Sequence, residues 1–147
     1  MRISSKTEYA LKTLVDLAMH SKDGVTRIAD IAKRQNIPSK FLEQILLILK
    51  SANIVGSQRG AKGGYFLAIK PSMIKLSAVV SLTDDSILSI SHPDQHKGRS
   101  DRQISPFIEV WTDINSCIKQ KLEQKTIQDM CERILELQNA RSTEYVI

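Results

Sequence analysis

The sequence predicts a mainly α-helical protein that carries one small β-hairpin and a long helix in its C-terminal half. Apolar residues recur at spacings of three and four along most of the 147-residue chain, as amphipathic helices require. Four of the six glycines fall within residues 56–64, between two short runs of β-forming residues. A polar stretch over residues 83–105 loses the helical period and separates the two halves.

The first two helices follow from apolar periodicity and candidate capping residues. The segment "SSKTEYALKTLVDLAMHS" predicts a helix that its serines cap. Its apolar stripe consists of Ala10, Leu11, Leu14, Val15 and Ala18. A second, short helix is predicted to have Thr26 as its N-cap and to turn Ile28, Ile31 and Ala32 inward.

A third helix follows after a break at "NIP", because the residue before a proline is disfavoured in helical conformation. Ser39 is the predicted N-cap of this helix, "KFLEQILLILKSA". It has the clearest amphipathic stripe in the chain, formed by Leu42, Ile45, Leu46, Leu49 and Ala52. Two helices joined by a short turn are typical of a helix-turn-helix, whose second helix lies in the DNA major groove.

The glycine-rich stretch "GSQRGAKGGYFL" predicts a hairpin directly after that helix. Helix, turn, helix and hairpin together indicate a winged helix. Glycines at a hairpin tip permit positive φ and close approach to a phosphate backbone, and Arg59 and Lys62 lie in the same tip. The alternative is an ordinary glycine-rich hairpin whose charges are only solvated.

The charge distribution favours a polyanionic partner for the first half of the chain. Residues 1–70 contain twelve Lys and Arg against five Asp and Glu, a net of +7, whereas residues 71–147 contain nine against eleven, a net of −2. A solvated basic surface would show the same imbalance. No apolar run is long enough to span a membrane and no signal peptide is recognisable at the N-terminus, so we expect a cytoplasmic protein without membrane contact.

The spacing of the clustered glycines does not match that of a nucleotide-binding loop of an enzyme. "RGAKGGY" contains neither GxxxxGK[ST] nor GxGxxG, and it precedes a strand where a nucleotide-binding loop would open a helix. No Ser-His-Asp order, HExxH or paired-carboxylate motif is present elsewhere. The chain is therefore predicted not to be an enzyme.

The C-terminal half is predicted to contain three further helices. The first is "MIKLSAVVSL", the second is a long helix opened by Ser105 and Pro106, and the last starts at Thr126. The long helix carries a stripe that could serve a core or a dimer: Phe107, Val110, Trp111, Ile114, Ile118 and Leu122. Cys117 and Cys131 are predicted to be small core residues, with a redox-sensing thiol as the alternative.

Four segments together resemble the Rrf2 family of bacterial transcription regulators. They are "YALKTLVDLA", "IADIAKRQNIPSKFLEQILLILKSANIV", "RGAKGGYFLA", and a later tryptophan with "TIQDM". The resemblance covers nearly the whole chain. It implies a homodimer on a partly palindromic promoter element of double-stranded DNA, with the third helix in the major groove and the wing in the minor groove.

The resemblance also assigns DNA contacts by position. Glu43 corresponds to the family's base-reading glutamate, able to accept a hydrogen bond from cytosine N4, and Arg59 to the wing arginine of the minor groove. The other expected contacts are Ser39, Lys40, Gln44, Gly60, Lys62 and Gly63. A solvent-facing helix carboxylate is the alternative role for Glu43.

One departure concerns the cofactor. Cluster-binding members carry three cysteines in the loop before the long helix, whereas this loop has none. His92 lies about where the first ligand would be, His96 follows four residues later, and Ser105 lies near the third. We therefore expect no iron–sulphur cluster and no bound metal, and the candidates for holding iron are His92, His96 and Glu8, a ligand position in some relatives.

The sequence thus predicts a dimeric winged-helix transcription regulator, a repressor, with three regions. Residues 1–82 would bind DNA, residues 83–105 would form a polar loop, and residues 106–147 would form the dimerisation helices and tail. A small molecule, a protein partner or thiol oxidation would then regulate it through the dimer. The alternative is a degenerate winged helix that binds protein in a regulatory complex.

Overall fold

The structure, a computed structural model, describes residues 3–84, residue 86 and residues 106–144. Within these residues it contains six α-helices and one antiparallel hairpin, which confirms the predicted fold class. The elements are α1 Ser5–Met19, α2 Ile28–Gln35, α3 Ser39–Ser51, β1 Val55–Gln58, β2 Gly64–Leu67, α4 Leu76–Thr83, α5 Pro106–Glu123 and α6 Ile127–Glu144. Short 3-10 helices lie at Ser21–Asp23 and Pro71–Met73. No helix in the described ranges has the length and apolar character of a membrane span.

Helix α1 is the central element of the fold. The hydroxyl of Ser4 caps its start by accepting from the Thr7 N–H at 3.2 Å, as the sequence predicts. The helix packs against α2, α3, α4, α6 and β2. The fully buried side chains around it are Ala10, Leu14, Ile31, Leu42, Leu49, Val79 and Ile127. Both halves of the chain therefore share one hydrophobic core built on α1.

The predicted N-cap at Thr26 is wrong. Thr26 is extended, and it exchanges two backbone hydrogen bonds of 2.8 Å with Tyr65 of β2. Helix α2 starts one residue later because Arg27 takes the N-cap position, without a side-chain cap. The backbone of Thr26 thus connects β2 of the hairpin to the start of α2.

The turn between α2 and α3 lies where "NIP" predicts it, but its cap differs. Asn36 has φ 51°, the left-handed conformation that ends a helix, and Ile37 is buried. Pro38, with φ −59° and ψ 131°, is the N-cap of α3, and its carbonyl accepts the first two helical N–H bonds. The predicted cap by Ser39 is therefore wrong, and Ser39 is the first residue of the helix.

An ion pair between a buried carboxylate and a partly exposed arginine connects α1 to the end of α2. The carboxylate of Asp16 is 0% exposed and accepts from Arg34 Nε at 3.0 Å and Nη2 at 2.7 Å. Gln35 Nε2 donates a third hydrogen bond at 2.9 Å. The hydrogen bond to Asp16 raises the pKa of Arg34 above its usual value, so the guanidinium stays charged. The last turn of α2 is thereby held on α1.

Helices α4 and α6 also pack against α1. The hydroxyls of Thr7 and Thr83 lie 2.8 Å apart, and their hydrogen bond connects the start of α1 to the end of α4. Thr126 caps α6 as predicted: its hydroxyl accepts from the Asp129 N–H, and its own N–H donates to the Asp129 carboxylate at 2.7 Å. These bonds hold the pKa of Asp129 below its usual value. Cys131, on the next turn, is buried in the shared core, as predicted.

Helix α5 differs from the others because none of its residues is buried. Its apolar stripe is exposed at four positions: Phe107 is 67% exposed, Val110 53%, Trp111 44% and Ile114 41%. These four side chains are therefore not part of the core of a single chain. Cys117 is exposed as well, so its predicted place in the core is wrong. The predicted cap, Ser105, lies outside the described residues.

Replacing Arg34 by Met should lower the free energy of unfolding by about 3 kcal/mol, because the buried Asp16 carboxylate would lose its charged partner. Denaturant unfolding of the purified protein measures this change. The matched control is Arg133→Met, which breaks an ion pair whose two side chains are each 64% exposed. That variant should lose no more than about 1 kcal/mol. Equal losses would show that the Asp16 pair contributes no more than a surface pair.

Candidate nucleic-acid interface

Helix α3 has one buried face and one polar, exposed face. Leu42, Ile45, Leu46 and Leu49 are buried against the rest of the core. Lys40, Glu43 and Gln44 lie at positions i, i+3 and i+4 on the opposite side, and all are exposed. Ser39 is exposed in the first turn, beside them. The N-terminal half of α3 thus presents four of the predicted site residues together.

The polar side chains of this face are free to bind another molecule. Among the described residues, Lys40, Glu43 and Gln44 form no hydrogen bond or ion pair within the chain. The same holds for Arg59 and Lys62 in the hairpin tip. Exposed charged and amide groups without internal partners do not stabilise the fold, so substitutions there test binding with little effect on folding.

Two glycines determine the backbone conformation of the hairpin tip. The strands pair in a register that ends at Gln58 opposite Gly64. Gly60 has φ 114°, a backbone conformation that favours glycine. A Cβ atom at Gly63 would lie 2.5 Å from the Gln58 carbonyl oxygen, so only glycine fits there. The tip between the strands is narrow, and it places Arg59 and Lys62 in solvent.

Two basic residues that the sequence analysis missed hold the hairpin in place. Arg27 Nη2 donates to the Ala61 carbonyl at 3.1 Å, which connects the start of α2 to the tip. Lys50 Nζ donates to the Ser57 hydroxyl at 2.6 Å, which connects the end of α3 to β1. The partners are 34 and 7 residues apart in sequence, and no local pattern marks them. The orientation of the wing relative to α3 depends on these bonds.

The candidate metal ligands are not brought together among the described residues. Glu8 is exposed on α1 and forms an ion pair with Lys12 at 2.6 Å. His92 and His96 lie outside the described residues, so the expectation that they bind no metal stays a prediction. Within residues 3–84 and 106–144 no group of three or more His, Cys, Asp or Glu could hold a metal ion. Burial raises the pKa of the Cys131 thiol, which favours its protonated form over a thiolate ligand.

Comparison with known protein families gives one match over most of the chain. The model of the family described as "Rrf2: Iron-dependent Transcriptional regulator" matches residues 3–133. The HTH-type transcriptional regulator IscR of Aliivibrio salmonicida is 40% identical over 87 residues, which is 59% of this chain and 52% of the relative. The match thus spans about half the length of that relative. A Synechocystis protein named as an HTH-type transcriptional regulator is 30% identical over 88% of this chain and 87% of its own.

Solved structures of two regulators share the fold. CymR, the global cysteine regulator of B. subtilis, superposes with a TM-score of 0.78 at 28% identity, over 90% of this chain and 98% of CymR. T. potens IscR superposes with a TM-score of 0.78 at 30% identity, over 94% of this chain and 91% of IscR. The described arrangement of helices and hairpin is therefore that of these regulators.

Replacing Gly64 by Ala should lower the free energy of unfolding by about 2 kcal/mol or more, because the new Cβ would lie 2.6 Å from the Thr26 carbonyl oxygen. The backbone at Gly64 and the backbone at Thr26 cannot move apart without breaking the two hydrogen bonds between Thr26 and Tyr65. Gly56→Ala is the matched control, since the atoms nearest to its Cβ would belong to the ring of Phe66, which is 39% exposed and can turn away. Denaturant unfolding compares the two, and a larger loss for Gly56→Ala would contradict this account of the wing.

Proposed function

The chain belongs to the Rrf2 family of transcriptional regulators, and on this basis we propose that it binds DNA sequence-specifically as a homodimer and represses transcription at a partly palindromic promoter site. One observation carries the proposal. The polar face of α3 and the wing tip both carry exposed side chains that have no internal partner among the described residues, and both belong to the half of the chain with a net charge of +7. A surface of this kind suits a polyanion.

Each predicted residue has a role in this proposal. Helix α3 enters the major groove, where Glu43 accepts from cytosine N4 and Gln44 reaches neighbouring bases. Ser39 and Lys40, in the first turn, bind phosphates. The wing follows the minor groove, with Arg59 inside it and Lys62 on the backbone. Gly60 and Gly63 allow the tip to approach the phosphates closely.

The exposed stripe of α5 supports a homodimer. Exposed large apolar side chains on successive turns of a long helix are typical of a surface that another protein covers. A second copy of α5 satisfies this need with the same residues on both sides. Such a dimer places two α3 helices for half-sites about 34 Å apart, one turn of DNA. A dimer bound across a promoter occupies DNA that RNA polymerase requires, which supports repression.

The two cysteines of this chain are not placed to hold the iron–sulphur cluster of the family's sensors. Cys131 lies in the core with its Sγ 4.0 Å from the Val15 carbonyl oxygen, and Cys117, exposed on α5, belongs to no group of three or more candidate ligands among the described residues. The loop over residues 83–105 contains no cysteine. A cluster held by three loop thiolates has no counterpart in this chain, and no step of the proposal depends on one.

A second candidate function is protein binding through the same face. Leu47 is 65% exposed on the stripe of α3 that carries Glu43 and Gln44, and Phe41 is 57% exposed beside it. Apolar side chains in the centre of a polar surface favour contact with protein. The dependence of affinity on salt separates the two functions, since only the release of counterions from phosphates gives a steep dependence.

Glu43→Ala should relax the preference at one base pair of each half-site by about 1–3 kcal/mol, because one base contact is lost. Lys62→Ala should weaken binding to all sequences nearly equally and reduce the salt dependence of affinity. Selection of bound fragments from a random duplex pool, followed by titrations at several salt concentrations, measures both effects. Lys119→Ala removes the same charge from the side of α5 that faces away from the apolar stripe, and as the control it should change neither.

Two results of that experiment would contradict the proposal in different ways. An unchanged sequence preference in Glu43→Ala would remove this residue from the base-reading set. An affinity that stays constant with salt for every duplex would favour the protein-binding function.

Ile114→Glu should raise the dissociation constant of the dimer by about two orders of magnitude or more, because it places a carboxylate in the apolar contact between the α5 helices. Sedimentation velocity over a range of concentrations measures this change. Ser116→Glu is the matched control, since Ser116 lies about 200° around the helix from Ile114 and outside the apolar stripe. A variant Ile114→Glu that stays as dimeric as Ser116→Glu would show that the chains associate elsewhere.

A further inference from the structure

A cavity of about 530 Å³ lies between α1, the end of α2, the start of α4 and α6. We call it the junction cavity, because it lies where the helix-turn-helix meets the C-terminal helices. Its volume is within the range of small-molecule sites in proteins. No residue of α3 or of the wing lines it, so it is separate from the proposed DNA surface. Its apolar wall consists of Leu11, Val15, Met19, Leu76, Met130 and Ile134.

One part of the junction cavity is polar and carries positive charge. Arg34 lines it with a side chain that is 36% exposed, although its Nε and Nη2 donate to Asp16. Its Nη1 group has no hydrogen bond to any described residue, so it can donate to another molecule. His20 lines the same part, and its Nδ1–H donates to the Asp16 carbonyl oxygen at 2.8 Å.

The charged side chains that line the junction cavity are Lys12 and Arg34 against Asp16, and this one net positive charge favours an anion. Asp16 is the single carboxylate that lines it, and the hydrogen bonds of Arg34 and Gln35 already satisfy that group. Lys12 supplies a third basic side chain, which is 43% exposed and pairs with Glu8 on the surface. A cationic ligand would meet Arg34 and Lys12 with unfavourable charge. A wholly apolar ligand would leave the outer donors of Arg34 without a partner.

We propose that the junction cavity binds a small amphipathic carboxylate. The carboxylate accepts a charge-assisted hydrogen bond from Nη1 of Arg34, and the apolar body packs between Val15, Met130 and Ile134. The ligand therefore contacts the last turn of α2 and the middle of α6 at once. Its regulatory consequence rests on the proposed function: a ligand that favours one position of α2 relative to α6 favours one spacing of the two α3 helices.

The binding step is tested without DNA, by calorimetric titration of the full-length protein with three probes of equal chain length: octanoate, octanol and octylammonium. We expect saturable binding of octanoate at one site per chain. Octanol should bind at least about tenfold more weakly, because it lacks the charge-assisted hydrogen bonds. Octylammonium should show no saturable binding. Equal affinities for the three probes would overturn the proposal.

Two pairs of variants locate the site. Ile134→Trp should abolish octanoate binding by filling the junction cavity, whereas Leu135→Trp, at a neighbouring residue that is 49% exposed and does not line it, should not. Lys12→Met should weaken octanoate binding several-fold, and Lys6→Met, which removes the same charge elsewhere on α1, should leave it unchanged. Arg34 is not varied here, because its loss would also destabilise the fold.

Two outcomes would overturn the proposal independently of DNA binding. Octanoate binding that survives Ile134→Trp would place the ligand elsewhere. Octanoate binding that appears only when sedimentation shows the dimer to be dissociated would mean that a second copy of the chain fills the junction cavity. A protein that binds octanoate as expected but binds no duplex would leave this inference in place and refute the proposed function.

Discussion

The buried carboxylate of Asp16 determines how the helix-turn-helix is mounted on the rest of the protein. It lies fully enclosed on α1 and takes three hydrogen bonds from two residues of the last turn of α2. A buried charge without such partners would be strongly destabilising, so α2 has one favourable position on α1. Only residues 36–38 separate α2 from α3, and the direction of α3 follows from that position. The polar face of α3 points outward as a result.

The wing depends on a different constraint, which acts at the level of the backbone. Thr26 and Tyr65 exchange backbone hydrogen bonds, and Gly64 permits the close approach. Side-chain donors from Arg27 and Lys50 then hold the hairpin to the start of α2 and the end of α3. The wing and α3 are thus positioned from the same two helices. This coupling fits the proposed contact of α3 and the wing with one DNA duplex.

The protein has three distinct surface features: the outward face of α3 with the wing tip, the exposed stripe of α5, and the junction cavity. The charged and amide side chains on the outward face of α3 and at the wing tip have no internal partner among the described residues, while α5 exposes large apolar side chains. Between these surfaces lies the junction cavity, in contact with Arg34 of the pair that holds α2. A molecule bound there would contact the groups that orient α3. The ligand binding proposed for the junction cavity does not depend on loop cysteines, which are absent from residues 83–105 of this chain.

Local sequence patterns determined which segments are helices, where the turn at "NIP" lies, and that a glycine-rich hairpin follows α3, because apolar period and backbone preference act over a few residues. The family motif likewise indicated which residues of α3 and the wing are presented. The tertiary structure alone decided that Thr26 pairs with Tyr65, that Pro38 caps α3, and that Cys117 is exposed while Cys131 is buried. It also decided that Asp16 meets Arg34 and Gln35. Apart from the Pro38 cap, which forms within the turn itself, these outcomes depend on how distant parts of the chain pack together, and sequence spacing does not determine that packing.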